Sequence, residues 1–165
     1  MRKYKILLSG MISLAVILAT AVGFMLYKNP RQDVLIQKCE ADVRYDVFEE
    51  GQQHTLDALY VLALGARNQG FLHITGVLSS KGKKEDIDRT YSFTFKKNGK
   101  VGLYGIQIFK EKVSAYDGVD SNFFHTYFLP DKPGEELYIK ASSPDNGLYL
   151  FEGFSYPFFM CTTGV

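Results

Sequence analysis

The sequence predicts an all-β domain of about eight antiparallel strands, closed into a barrel or bent into a strongly curved sheet. Apolar and polar residues alternate with a period of two in one short segment after another, as in strands with one buried face. The chain has 13 Phe and 11 Tyr, residue types that favour strands. Turn residues such as Asn98-Gly99 separate the segments and favour tight connections between antiparallel neighbours.

The start of the chain predicts a membrane anchor. Ile6 to Tyr27 has no charged side chain, and a run of about 20 apolar residues can cross a bilayer as a helix. Because Arg2, Lys3 and Lys5 precede this run, the positive-inside rule places residues 1–5 in the cytoplasm. The rest is then exported, with a connector over residues 28–32 and a single β domain over residues 33–165.

A cleaved signal peptide is the alternative interpretation, since Ala19-Thr20-Ala21 has the pattern of a cleavage site. Against it, the apolar run continues to Tyr27 beyond that site. Within the predicted helix, Ala15, Ala19 and Gly23 lie four residues apart. This spacing stacks small residues on one face, where another helix could approach closely, although lipid-facing filler explains them equally well.

The exported part of the chain is mildly acidic. All 18 acidic residues and 14 of the 19 basic residues lie beyond position 32, which gives this part a net charge of −4. A nucleic-acid-binding surface needs a basic patch or stripe. Direct binding of DNA or RNA is therefore not expected.

The two cysteines, Cys39 and Cys161, lie near the two ends of the predicted β domain. In an exported domain an even pair predicts a disulfide, which would fasten the first strand to the last. Two free buried thiols are the alternative, favoured if the domain stays in the cytosol. No third or fourth ligand at metal spacing accompanies them, so no zinc site is predicted.

The first three strands follow from the alternation of residues. Lys38 to Phe48 alternates almost perfectly between charged and apolar residues. Thr55 to Leu64 fits helical and strand spacing alike; a strand is preferred because Ala66-Arg67-Asn68-Gln69 leaves a short connection to the β-like segment Gly70 to Leu78. Ser79 to Asp88 is polar and predicts a solvated loop.

The other predicted strands are Arg89 to Lys96, Val101 to Val113, Phe123 to Leu129, Glu136 to Ala141 and Leu148 to Phe151. Their connections are Asn98-Gly99, a loop through Asp117-Gly118, a break from Pro130 to Gly134 and the turn Asp145-Asn146-Gly147. No helix-length periodic segment with caps is expected.

The last segment is expected to be irregular. Gly153 allows a bulge that shifts the apolar face from Tyr149 and Phe151 to Phe154 and Tyr156. Pro157 cannot donate to a strand ladder, so it is expected at an edge, a bend or a partner surface.

The sequence contains no catalytic motif: no G-x-S-x-G, no Gly-rich phosphate loop and no H-E-x-x-H. The adjacent carboxylates Glu49-Glu50 and Glu135-Glu136 lie at predicted turns, where they are expected to be solvated. A binding or assembly role is therefore favoured over an enzyme, and no cofactor or metal is expected.

Two histidines and the aromatic C-terminal segment are the candidate functional residues. His73 and His125 share the parity of apolar neighbours, so they form a pH-responsive core or interface, or else have no switching role. The aromatic surplus lines an apolar cavity for a small ligand or meets another protein, unless it fills the core. Its residues are Tyr149, Phe151, Phe154, Tyr156, Pro157, Phe158 and Phe159.

Several features together carry a family resemblance. They are the basic start, one spanning helix, the strand Lys38-Cys39-Glu40-Ala41-Asp42, the β-hairpins and the closing Tyr156-Pro157-Phe158-Phe159-Met160-Cys161. In this layout the chain resembles the FidL-like inner-membrane proteins, and among them it looks most like the PsaF and MyfF accessory proteins of fimbrial operons. The shared motifs are C-x-A near the start and P-x-x-x-C near the end.

The resemblance implies a partner. Such proteins have a ToxS-like role: they form a heterodimer with a ToxR-like winged-helix membrane activator of fimbrial or virulence genes, which they stabilise or modulate. The chain would be a single-pass inner-membrane protein with its C-terminal domain in the periplasm. Related pairs build a lipocalin-like barrel that can hold a bile-type lipid.

Carried onto this chain, the resemblance implies that Cys39 and Cys161 form the stabilising bridge. It also implies that the strands near Pro157 supply an edge for the activator, and an open edge beside surplus aromatic residues suits strand addition. The alternatives are a stand-alone barrel that binds lipid or bile, and a component of envelope or pilus assembly.

Overall fold

The computed structural model describes residues 38–99, 102–129, 134–154 and 157–163, together with position 20. The predicted span Ile6 to Tyr27, with Ala15, Ala19 and Gly23, and the connector over residues 28–32 lie outside the described residues, except for the helical Thr20. Within the described residues, no helix is long and apolar enough to cross a membrane. All elements named below belong to the unit Ile36–Val165.

Eight antiparallel strands form a closed barrel in which each strand pairs with the next one in sequence, and the last pairs with the first. This confirms the predicted fold class. The strands are β1 (Lys38–Glu49), β2 (Gln52–Leu64), β3 (Gln69–Ser80), β4 (Lys83–Lys97), β5 (Leu103–Val113), β6 (Glu136–Asp145), β7 (Leu148–Glu152) and β8 (Pro157–Thr162). A 3₁₀ turn, Ala66–Asn68, joins β2 to β3, and a helix, α1 (Ser121–Tyr127), lies between β5 and β6.

The alternation of residues places one face of each strand inside the barrel. In β1, Lys38 and Glu40 are exposed while Cys39 and Ala41 are buried, as a period of two requires. The ambiguous segment β2 is a strand, as preferred, and its buried apolar residues all have one parity: Leu56, Ala58, Tyr60 and Leu62. The same rule buries Tyr91, Phe93 and Phe95 of β4.

The polar segment Ser79 to Asp88, predicted as a solvated loop, is formed by two strand ends and a two-residue turn. β3 continues to Ser80 and β4 begins at Lys83, while Lys81 and Gly82 between them have positive φ angles of 51° and 76°. Two successive positive φ values suit the right-handed twist of a hairpin. The loop prediction was wrong because both faces of a hairpin are solvated near its tip, so the alternation of residues disappears there.

The segment Phe123 to Leu129, predicted as a strand, belongs to the helical region instead. The side chain of Asp120 caps α1 by accepting a hydrogen bond from the Phe123 N–H at 2.9 Å. Phe124 and Phe128, four residues apart, are both buried. The alternating aromatic residues imitated a strand, but spacings of three and four also place them on one helical face. The expectation that no capped helix occurs was therefore wrong.

The prediction of a bulge at Gly153 within one continuous strand is also wrong. β7 ends at Glu152, and the chain returns as β8, which begins at Pro157. Gly153 therefore lies in the connection between two strands. Pro157 is the first residue of its strand, where a missing N–H is tolerated.

The strands differ in length, and α1 lies where the short ones stop. β1 to β5 contain 11 to 15 residues, whereas β7 and β8 contain five and six. β6 pairs with β5 only from Leu103 to Gln107, so the rest of β5 extends beyond β6. At this end α1 packs on the long strands, with Tyr127 bonded to Glu49 of β1. The helix thus covers the core that the short strands leave open.

A bulge in β5 reverses the orientation of its last residues. Phe93 pairs with Ile108 but Ser92 pairs with Lys110, so Phe109 is an extra residue in the ladder. Beyond it, Glu111 is opposite the buried Tyr91. The bulge therefore turns this carboxylate toward α1 and leaves its two lysine neighbours exposed.

Candidate functional site

The inward-facing part of the aromatic C-terminal segment packs into the core. Phe151 is buried, and its ring centroid lies 5.1 Å from that of Phe159. Phe159 also contacts Tyr60 of β2, with 5.6 Å between ring centroids. Tyr149 is half-buried and is paired with Cys161 across β7 and β8. These aromatic side chains fill the barrel beside the disulfide.

The outward-facing part forms an apolar surface. Phe154 is 84% exposed, and its ring lies 6.4 Å from that of Tyr138 on β6. Met160 of β8 is 50% exposed and pairs with Leu150 of β7. The large exposed apolar side chains that the structure describes in this region are therefore Met160 on β8 and Phe154 in the connection between β7 and β8.

The other predicted surface residues lie at the connection between β7 and β8. Phe158 is half-buried against Gly153, where an added Cβ would come within 2.8 Å of the ring. Pro157 is exposed, and Tyr156 lies outside the described residues. The structure thus divides the predicted set between the core and the outer surface rather than gathering it at one site.

The seam between β1 and β8 is short. The disulfide between Cys39 and Cys161 confirms the predicted bridge, with the two Cα atoms 5.5 Å apart. Next to it, Glu40 pairs with Thr162, the single ladder pair between these strands among the described residues. β1 continues to Glu49 without another β8 partner in that part of the chain. The disulfide therefore fastens the seam at one end. In the register of the Glu40–Thr162 pair, the first residue of β8, Pro157, comes opposite Tyr45, so the part of β1 that extends past β8 is Asp46–Glu49.

A buried ion pair, which the sequence analysis missed, holds the loop before α1. Arg89 of β4 donates from Nε to Asp117 Oδ2 at 2.7 Å and from Nη2 to Asp117 Oδ1 at 2.8 Å. Nη2 also donates to the Val119 carbonyl oxygen, and Nη1 donates to Ser121 Oγ at 3.4 Å. The guanidinium carbon lies 4.6 Å from the ring centroid of Phe124. One side chain thus contacts the loop and two residues of α1.

The carboxylate of Asp117 has several further donors. The backbone N–H of Asp88 donates to Oδ2 and that of Val119 to Oδ1, both at 3.0 Å. Burial raises the pKa of this carboxyl, but the hydrogen bonds from Arg89 and the two N–H groups outweigh burial and hold the pKa below its ordinary value. Asp117 is therefore charged at neutral pH although its side chain is fully buried.

Glu111 connects the same cluster to the side of α1. Its Oε1 accepts from the Tyr91 hydroxyl at 2.8 Å and lies 3.0 Å from His125 Nε2. The Arg89 Nη1 is 3.6 Å away. Burial, together with the hydrogen bond to Glu111, raises the pKa of the Tyr91 hydroxyl. The cluster therefore contacts α1 through two residues of the strands. Glu111 faces His125 of the helix, and Arg89 contacts Ser121 and Phe124.

The two histidines predicted as pH-responsive residues lie in different surroundings. His125 is on α1, with 15% of its side chain exposed, and faces Glu111. His73 is on the outer face of β3, with 35% exposed; its Nδ1 lies 2.9 Å from Thr90 Oγ1 and its Nε2 3.7 Å from Asp88 Oδ1. The structure does not bring them together.

The third histidine, His54, is the most buried of the three. It is 7% exposed, its Nε2 lies 3.7 Å from Glu49 Oε2, and its ring lies 4.8 Å from the Phe123 ring. Neither ring nitrogen has a hydrogen-bond partner among the described residues, and the same is true of the buried Tyr60 hydroxyl. Burial raises the pKa of that hydroxyl.

One sequence signal could have located the buried cluster. Arg89 has the parity of Tyr91, Phe93 and Phe95, so the alternation places a charged side chain on an inward face. A buried charge needs a partner, and the nearby loop contains Asp117. Among the described residues, no group of three His, Cys, Asp or Glu side chains is arranged to hold a metal ion.

Comparison with known proteins identifies the family. Residues 76–161, slightly more than half of the chain, match the family described as "FidL-like putative membrane protein". The chain belongs to this FidL-like family. In the structure of this FidL-like protein, the matched region runs from the middle of β3 to Cys161, so it includes the Arg89–Asp117 pair, α1 and the aromatic segment. No curated protein matches the chain at a significant level.

Proposed function

We propose that this FidL-like chain is a membrane-anchored co-regulator without catalytic activity. It would bind a ToxR-like winged-helix membrane activator of fimbrial or virulence genes as a heterodimer and stabilise or modulate the activator's periplasmic segment. The single observation that carries the proposal is the seam, where β1 and β8 share one ladder pair among the described residues and the end of β1, Asp46–Glu49, extends past β8.

The seam suits strand addition by a partner. A strand that extends beyond its neighbour offers backbone N–H and C=O groups to another chain. Beside it, Met160 of β8 is 50% exposed, and Phe154 in the preceding connection is 84% exposed. Backbone pairing would supply affinity and the apolar side chains would supply contact area. The disulfide keeps this geometry because it ties β8 to β1 next to Glu40.

The proposed location is the inner membrane, with Ile6 to Tyr27 as the anchor, residues 1–5 in the cytoplasm and the barrel in the periplasm. Two observations support it. The family is described as one of membrane proteins, and the Cys39–Cys161 disulfide suits an oxidising compartment.

The proposal assigns no catalytic role to the buried charges. Arg89, Asp117 and Glu111 bind one another and α1. In this arrangement they hold the helix against the barrel, which is a structural task.

The proposal is tested by co-expression with the neighbouring winged-helix activator. Removal of this chain should shorten the activator's half-life and lower its transcriptional output. Met160→Glu should lower the amount of activator that co-purifies, because it places a charge beside the seam. Phe71→Glu is the matched control, since Phe71 of β3 is 44% exposed and is not on a seam strand. An activator whose half-life and output do not depend on this chain would exclude the proposal.

A second candidate function, binding of a small apolar ligand inside the barrel, is favoured by one observation. The Tyr60 hydroxyl is buried without a hydrogen-bond partner among the described residues, so a ligand with one polar group could satisfy it. Gentle extraction followed by mass spectrometry should then release a ligand from the wild type. Tyr60→Phe should release less of it at equal protein yield. Retained ligand in that variant would argue against Tyr60 as the contact.

A further inference from the structure

A second strand edge, on β5, is open for a different reason from the seam. β6 pairs with β5 from Leu103 to Gln107, and the Gly134 N–H then donates to the Ile108 carbonyl oxygen at 3.1 Å. From Phe109 to Val113, no backbone hydrogen bond reaches this side of β5 from any residue that the structure describes. The edge lies where β5 continues past Glu136, the first residue of β6.

The open edge is already held in strand conformation by its contacts with the barrel. On its other side, β5 pairs with β4 up to the pair Arg89–Val113. Its inward residue, Glu111, is fixed by Tyr91 and by His125 of α1. A preformed edge costs little conformational entropy when a strand is added.

The outer face of this edge is basic. Because the bulge at Phe109 turns Glu111 inward, Lys110 and Lys112 both point outward and are exposed. Their cross-strand neighbours on β4 are Ser92 and Thr90, which carry no charge. No carboxylate of the described residues forms an ion pair with either lysine.

Two exposed apolar side chains flank the lysines. Phe109 is 58% exposed and Val113 is 41% exposed. Val113 pairs with the buried Arg89 and so has the inward parity of Glu111. On the outer face an added strand would therefore find one apolar side chain, Phe109, beside the positive charge of the two lysines. Cross-strand pairs of opposite charge favour pairing, and like charges directly opposite disfavour it.

We infer that the β5 edge from Phe109 to Val113 is a docking site for an extended acidic segment of another protein, bound by strand addition. A second copy of this chain is a poor occupant. Antiparallel pairing of two such edges around Glu111 would place Lys110 of one copy opposite Lys112 of the other. An acidic strand would instead place its carboxylates next to both lysines. The inference does not depend on the seam or on the identity of the activator.

The test measures binding of synthetic peptides to the full-length protein in detergent. One fluorescent peptide alternates Glu with Val, a second alternates Lys with Val, and a third alternates Glu with Pro and so cannot pair as a strand. The Glu–Val peptide alone should bind, and molar salt should weaken it because exposed charges are screened. Hydrogen exchange should slow at the backbone amides of Phe109–Val113 when it binds.

Charge-reversal variants separate a specific edge from general attraction. Lys110→Glu combined with Lys112→Glu should lower the affinity for the Glu–Val peptide roughly tenfold or more. The same double variant should bind the Lys–Val peptide, which the wild type should not bind. Lys84→Glu combined with Lys96→Glu is the control, since both lysines are exposed on β4 and the net charge changes equally. The control should leave binding within about twofold.

Three outcomes would overturn the inference. In the first, both double variants lower the affinity for the Glu–Val peptide equally, which would mean that net charge alone attracts the peptide. In the second, the exchange protection falls outside Phe109–Val113. In the third, no peptide binds but phosphatidylglycerol vesicles do, so that the lysines would contact a lipid surface. Peptide binding at β5 is measured without the activator, so its failure is distinguishable from failure of the seam proposal.

Discussion

Arg89 and Asp117 form a bidentate ion pair in which both side chains are fully buried, although they lie 28 residues apart in sequence. The pair joins β4 to the loop that precedes α1. Since Arg89 also contacts Ser121 and Phe124, the position of the helix depends on this pair.

Removing one member of the pair should destabilise the protein strongly. Asp117→Ala leaves the Arg89 charge buried without its carboxylate, and breaking a buried pair in this way costs about 3–5 kcal/mol. The free energy of unfolding is measured in urea by the near-ultraviolet circular dichroism of the tyrosines. Asp86→Ala, at an exposed position of β4, should change stability by less than about 0.5 kcal/mol.

Replacing both members of the pair with apolar residues tests whether the loss of stability in Asp117→Ala comes from the unpaired charge of Arg89. Arg89→Met combined with Asp117→Leu should recover part of the stability that Asp117→Ala loses, since no charge is then left unpaired. Equal stability of Asp117→Ala and the wild type would contradict the buried-pair interpretation.

Stability should fall in acid because of Asp117. Burial raises the pKa of Asp117, but the hydrogen bonds from Arg89, Asp88 and Val119 together lower the pKa by more than burial raises it. The folded-state pKa therefore lies below the unfolded one. Such a group stabilises the fold above the unfolded pKa of about 3.9. This contribution is lost as the pH falls from there through the folded-state pKa.

Urea unfolding at a series of acidic pH values measures this effect. Asp117→Asn removes the titrating group, so stability should depend less steeply on pH in the acid range than in the wild type. Identical slopes for the two proteins would show that other carboxyl groups dominate acid unfolding.

Loss of the disulfide should lower the free energy of unfolding by about 4–5 kcal/mol, since a crosslink over a loop of this length restricts the unfolded chain. Cys39 and Cys161 are separated by 122 residues. Cys39→Ser combined with Cys161→Ser is compared with the wild type in urea, with and without reductant. Reductant should destabilise the wild type and leave the double variant unchanged. A wild type that is insensitive to reductant would contradict the prediction.

The core contact of α1 should matter more than an exposed aromatic residue. Phe124 is 0% exposed and Phe154 is 84% exposed. Phe124→Ala removes a buried ring and should cost about 3–5 kcal/mol. Phe154→Ala, measured in the same urea titration, should change stability by less than about 0.5 kcal/mol. If the two substitutions have equal effects, α1 does not depend on this packing.

Much of the barrel could be predicted because strand parity is a local property. The alternation from Lys38 to Phe48 directly separates the exposed from the buried residues of β1. It failed at Ser79 to Asp88, where both faces of a hairpin tip are solvated. It also failed at α1, because aromatic residues at positions 123 and 127 fit a strand and a helix alike.

The candidate site was harder to predict than the fold. The disulfide followed from two cysteines in an exported domain, and the structure confirms it. The division of the aromatic segment between the core and the surface depends on the reversal after Glu152, which Gly153 alone did not reveal. The β5 edge depends on a bulge at Phe109 and on where β6 begins, and neither leaves a clear local pattern.

The sequence by itself determined the all-β class, the inward and outward faces of the main strands, and the pair of cysteines that joins the first strand of the β domain to the last. The strand class and the strand faces follow from residue type and from alternation between neighbouring residues. The disulfide follows because the chain has two cysteines, so each has one possible partner within the chain. Only the tertiary structure decided the Arg89–Asp117 pair, the helix at Ser121–Tyr127 and the open edges of β1 and β5. A seven-residue helix is too short to be stable alone. It forms because distant strands supply a buried charge and an apolar surface for it to pack on.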